Sequence, residues 1–224
     1  MIAFDLSHSF SGSLKVLCLG SHSDDIEIGC GGTILRLAEQ YPGCEFHWTV
    51  FNAAGIREAE ARRAAELFAG SRLKSTRLKT FQDGFLPYMG KEVKTVFEEE
   101  LKQVSPDVIF THHGKDAHQD HRLISELTWN TFRNHLILEY EIPKYDGDLG
   151  QPSVFVPLER EICDRKVAYL MEAFQSQQSK RWFEPDTFRS LMRLRGMECN
   201  AESGYAEAFY ARKITFLNSR SEKS

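Results

Sequence analysis

No run of apolar residues in this chain approaches the roughly 20 needed to cross a bilayer. Asp5 and several serines precede the first long apolar stretch, so no positively charged start leads into a hydrophobic region. A cytoplasmic location and no membrane span are therefore expected. Basic residues hold no excess: 28 Lys and Arg stand against 32 Asp and Glu, for a net charge of −4, which argues against general nucleic-acid binding. The cysteines (Cys18, Cys30, Cys44, Cys163, Cys199) are scattered, odd in number and without a CxxC pair. They read as reduced thiols, not as a disulfide frame or a zinc cage. Internal repeats and low-complexity tracts are also missing.

What is there suits one globular α/β unit. The 224 residues are 42% hydrophobic, enough for a sizeable core. Lys15–Leu19 reads as a buried strand, and Ile26–Gln40 has the i, i+3, i+4 apolar spacing of a helix. Strands are expected at Glu45–Phe51, Ser75–Leu78, from Asp107, and at Ile137–Glu141; helices at Arg57–Phe68, Lys91–Val104 and Arg122–Phe132. That alternation implies βαβ units and a mostly parallel sheet. Pro143–Pro157 reads as a loop, Leu158–Gln175 as a helix, and the basic, aromatic stretch Lys180–Arg195 as part of a C-terminal cap. The expected unit is a single domain over 1–224, its core at about 15–141 and its cap at about 142–224.

Two polar clusters follow strand-like runs. Ser21-His22-Ser23-Asp24-Asp25 comes directly after Val16–Gly20, and His118-Gln119-Asp120-His121 comes after Val108–Thr111. The glycines Gly29, Gly31 and Gly32 lie beyond the first turn, not in it, so backbone amides do not cradle a dinucleotide there. One bland reading makes His22 a structural histidine and Asp24 or Asp25 a helix N-cap. In the metal reading, His22 and Asp25 face one point from a tight turn, and His121 completes a His₂Asp set that leaves a position for water. Asp24 is then free to take a proton, His118 to meet the substrate oxygen, and Asp120 to orient a neighbouring histidine.

At these residues the sequence resembles the PIG-L/LmbE-like family of zinc-dependent N-deacetylases, which carries His-Pro-Asp-Asp, a Gly-rich helix start with Thr, and a later His-x-Asp-His. The matches are His22–Asp25, Gly31-Gly32-Thr33 and His118–His121, with weaker ones at Arg57 and Glu60, Asp83-Gly84 and Ala206-Glu207-Ala208-Phe209. The resemblance implies a Rossmann-like sheet, a metal on His22, Asp25 and His121, Asp24 as general base, and His118 as oxyanion stabiliser or acid. It also implies substrate contacts from Arg57 and Asp83. Ser23 stands where the family commonly has proline, and the loop Gly114–Ala117 lacks the tyrosine that some members place there.

The expected activity is hydrolysis of an N-acyl group from an amino sugar or glycoconjugate, with Zn²⁺ as cofactor and Fe²⁺ or another divalent ion also compatible. A homo-oligomer is compatible with this reading. The alternatives are a metal-dependent amide or ester hydrolase with a non-sugar substrate, and a non-catalytic sugar- or nucleotide-binding protein. The basic residues Lys180, Arg181, Arg189, Arg193 and Arg195 read as a solvated helix face in preference to a phosphate clamp. Trp48, Phe85, Tyr88 and Trp182 are candidates for sugar stacking, though aromatics this numerous are mostly core.

Overall fold

A computed structural model describes residues 13–215. The apolar run after Leu14 forms β1 (Lys15–His22), buried on both faces: Val16 and Cys18 join one core cluster, Leu17 and Leu19 the other. Such a strand needs cover on both sides. α1 (Asp25–Gln40), α2 (Ile56–Ala69), α5 (Arg160–Ala173) and α6 (Pro185–Glu198) pack around the first cluster, and α3 (Gly90–Val96) and α4 (Gln119–Thr131) around the second. Between them run β2 (Glu45–Asn52), β3 (Leu73–Leu78), β4 (Val108–His112) and β5 (Leu136–Tyr140), all parallel to β1. The C-terminal segment adds β6 (Val154–Pro157) and β7 (Ala206–Tyr210). The sheet order is β3-β2-β1-β4-β5-β7-β6, with β7 antiparallel to both of its neighbours. This is the expected mostly parallel α/β sheet, with six α-helices around it among the described residues.

Three details differ from the expected elements. The helix expected over Lys91–Val104 is helical throughout but changes pitch, passing from α3 into a π turn (Phe97–Leu101) and a 3₁₀ turn (Lys102–Val104). It stops at Ser105, whose φ of 49° is left-handed, just before Pro106. The loop expected over Pro143–Pro157 contains β6. And the cap extends the sheet as well as covering it.

α1 is broken. Cys30 has φ −142° inside it, so the amides that follow lose their partners in the preceding turn. Glu207 of β7 replaces those partners: Gly32 N–H donates to its Oε1 at 2.8 Å and Thr33 N–H to its Oε2 at 2.6 Å. Lys166 of α5 does the converse, donating to the Ile28 carbonyl and to Glu207 Oε1, both at 2.6 Å. The glycines around the break serve packing: a Cβ on Gly29 would lie 2.2 Å from the Tyr140 ring, and one on Gly32 2.5 Å from Leu158. The first half of α1, which carries Asp25, is thereby set at its own angle to the sheet. No helix among the described residues is long and apolar enough to cross a membrane.

Candidate metal centre

From β1 the chain winds outward to β2 and β3 on one side, while β4 and β5 lie on the other. The crevice of such a sheet opens where the order reverses, at the carboxyl ends of β1 and β4. His22 ends β1, Asp24 takes the N-cap position of α1, and Asp25 is its first residue. His22 N–H donates to Asp25 Oδ2 at 2.6 Å and closes the turn. His118 is the N-cap of α4, its Nδ1 accepting Asp120 N–H at 3.2 Å, and His121 follows one turn on.

These pieces converge. His121 Nε2 lies 3.2 Å from His22 Nδ1 and 3.6 Å from Asp25 Oδ1, and His22 Nδ1 lies 3.3 Å from Asp25 Oδ2. A tetrahedron with bonds of 2.0–2.1 Å has edges of about 3.3–3.4 Å, and each of these three separations lies near that length, the two histidines meeting different oxygens of Asp25. Ligand-type atoms also gather in the sets His22, His118, His121; Asp25, His112, His121; and His22, Asp83, Asp120. His112 Nε2 already accepts Ser21 N–H at 2.9 Å, so its lone pair is committed to the end of β1. Its ring lies parallel to that of His121, centroids 3.9 Å apart, and burial together with His121 pushes its pKa down to about 4.

The charge balance also favours a cation. Burial opposes protonation of His22, yet Asp25, Asp120 and Asp83 outweigh it and hold its pKa well above the usual value. Burial likewise opposes ionisation of Asp25, but His121, His112 and His22 hold its carboxyl well below the usual range. His118 is shifted down by burial and by His121 and His22. With Nδ1 accepting a backbone N–H, its neutral ring carries the proton on Nε2 as a donor.

The flanking residues are drawn in as well. The Asp24 side chain makes no capping bond; its Oδ1 accepts from Arg57 Nη2 at 2.7 Å. Asp83, its side chain 73% exposed, reaches His22 Nε2 at 3.0 Å. Asp120 is fully buried, 3.4 Å from His22 Nε2, with Gly84 N–H and Leu86 N–H donating to its two oxygens. Glu60 accepts from Ser176, away from this cluster. Trp48 is core; Phe85 and Tyr88 are exposed on the segment after Asp83; Trp182 packs against the core. Of the basic C-terminal residues, Arg195 is buried in an ion pair with Glu141, and Arg189 pairs with Asp164 at the surface.

Residues 17–132, more than half of the chain, match the PIG-L family, described as GlcNAc-PI de-N-acetylase. The chain belongs to that family. Among similar proteins, an uncharacterized deacetylase of Escherichia coli, YaiS, is 29% identical over 168 residues, covering 69% of this chain and 88% of its own. The diacetylchitobiose deacetylase of Thermococcus kodakarensis is 28% identical over 137 residues, covering 53% of this chain and about half (49%) of its own length. Among solved structures, the N,N'-diacetylchitobiose deacetylase of Pyrococcus horikoshii superposes with a TM-score of 0.70 at 22% identity, over 93% of this chain and 87% of that one, which shows the shared fold.

Two residues of this cluster escaped the reading of the sequence. His112 directly follows the apolar run Val108–Thr111 and was not singled out, and Asp116 lay in a loop noted for lacking a tyrosine. Asp116 Oδ2 lies 3.0 Å from His121 Nδ1, off the line of a straight hydrogen bond. Burial raises the Asp116 pKa, but His121 and His112 outweigh it and hold the carboxyl below its usual range. The spacing Asp116-x-His118 was the available signal.

Proposed function

We propose that this chain is a metal-dependent N-deacylase acting on an N-acetylated amino sugar or its conjugate, with residues 1–224 working as one unit in the cytoplasm. The observation that carries the reading is the meeting of two His/Asp clusters at the switch point, with donor separations of 3.2–3.6 Å and with Asp24 and His118 close by. The PIG-L description and the diacetylchitobiose deacetylase relative support the sugar and the acetyl group.

His22, Asp25 and His121 would hold the ion, zinc by donor type. When bound, it supplies Lewis acidity and brings the pKa of water from 15.7 to about 7. Asp24 accepts the proton of the attacking water on its carboxylate, with Arg57 fixing that carboxylate's orientation. His118 donates from Nε2–H to the carbonyl oxygen as negative charge develops there. Asp24 returns the proton to the departing amine. Asp120 holds His22 and the backbone after Asp83, and Asp83 and Arg57 face the substrate.

Metal-loaded protein incubated with a panel of N-acetylated sugar conjugates is expected to release amine from at least one. Release from simple non-sugar amides alone would move the assignment to the wider class of amide hydrolases. Tight sugar binding with no amine released would leave a binding protein. His118→Ala is expected to keep its metal and lose about 10²–10³ in kcat, the usual loss for one oxyanion donor. Loss of the metal in that variant would make His118 a ligand and redraw the roles in the second cluster.

A further inference from the structure

A ligand histidine is fixed by what holds its outer nitrogen, because that partner sets both the ring plane and the tautomer. Asp120, the carboxylate beside His121 in sequence, faces His22 instead. The outer nitrogen of His121 faces Asp116, whose other oxygen, Oδ1, accepts His118 N–H at 2.8 Å. Asp116 is therefore anchored to the start of α4 while its Oδ2 addresses the ring.

That Oδ2 is shared. Lys144 Nζ lies 3.0 Å from it and 2.5 Å from Asp148 Oδ2, and Asp148 Oδ2 in turn accepts Ala117 N–H at 2.7 Å. Lys144 and Asp148 belong to the segment between β5 and β6, whose Tyr145 and Leu149 are exposed. One ammonium between two carboxylates thus joins the loop after β4 to the loop after β5, and the first of those carboxylates meets His121.

We propose that Asp116 is the positioning residue of His121, and that Lys144 extends this hold to residues 143–150, so that metal binding and the seating of that segment are linked. The proposal rests on the reading of His121 as a ligand. Asp116 keeps the proton on His121 Nδ1 and leaves the Nε2 lone pair facing His22 and Asp25, while the His112 ring stacked alongside limits rotation. Lys144 keeps Asp116 Oδ2 from turning away.

Asp116→Asn retains an oxygen for His118 N–H and removes the anion opposite His121. Zinc affinity, measured by competition with a chromophoric chelator, should fall about 10–100-fold, the usual effect of losing such an outer partner. The visible bands of the Co²⁺-loaded variant should shift, and the melting temperature of the metal-free protein should stay close to that of the parent. In the parent, zinc should slow amide exchange in residues 143–150; in Lys144→Met that slowing should vanish while zinc still binds. Parental zinc affinity in Asp116→Asn, or a lowered metal-free melting temperature as its sole change, would overturn the positioning role. Exchange in 143–150 indifferent to zinc in the parent would overturn the link. His121→Ala serves as the control: parental zinc affinity there would mean that the ligand reading itself had failed.

Discussion

Asp24→Asn is expected to retain its metal and to lose about 10²–10⁴ in turnover, the range for a general base. The substitution is nearly silent structurally. Asp24 makes no capping bond to α1, and the oxygen that accepts from Arg57 at 2.7 Å survives as the amide oxygen. What disappears is the basic carboxylate. Asp25 is untouched, so metal content should match the parent, whereas His121→Ala should lose metal and turnover together. Amine release at saturating substrate, with metal measured on the same sample, separates the two. Undiminished turnover in Asp24→Asn would remove it as the base. Asp120 would be a poor substitute, since backbone N–H groups already occupy both of its oxygens.

The second large effect lies away from the reacting atoms. Glu207→Ala should cost about 3–5 kcal/mol of stability, the range for breaking one partner out of a buried ion pair. At roughly 2–4 °C per kcal/mol for a chain of this size, the melting midpoint should fall by about 10 °C. Three groups lose their partner at once: the Gly32 and Thr33 amides and the Lys166 ammonium, with both members of the pair buried. Replacing the pair together, as Lys166→Met with Glu207→Gln, should cost less than Glu207→Ala, because no buried charge is stranded. A midpoint within a degree of the parent in Glu207→Ala would show that the break in α1 needs no cap.

The difference between these two sites also explains what the sequence made visible. β1 and the start of α1 were legible because an apolar run ends abruptly in His22 and two acids, and because Ile34, Leu35 and Leu37 keep helical spacing. The second cluster was legible for the same reason, His118 and His121 standing one turn apart after an apolar strand. β7 was not. Ala206-Glu207-Ala208-Phe209 alternates small, acidic, small and aromatic side chains, and alanine and glutamate are poor strand formers. The strand exists because β5 and β6 flank it and Lys166 neutralises its glutamate. β6 hid in a stretch rich in glycine and proline. His112 was missed because it works across strands, on the end of β1, which local spacing does not reveal; Asp116 was missed although its spacing to His118 and His121 was on view, because a carboxylate in a loop before a helix reads as a turn residue.

The cap on α1 also fixes an order of events during synthesis. All the proposed ligands and the proposed base lie between His22 and His121, so a ribosome would expose the whole set before the strand that carries Glu207 is made. The carboxylate that steadies the helix bearing Asp25 comes from Glu207 of β7, 86 residues after His121. Domains fold as units while the chain emerges, so the set stays loosely assembled until β7 docks. A fragment stopping at residue 200 carries every proposed ligand and is expected to bind zinc weakly, because the finished centre is a property of the completed sheet and not of the N-terminal motifs alone.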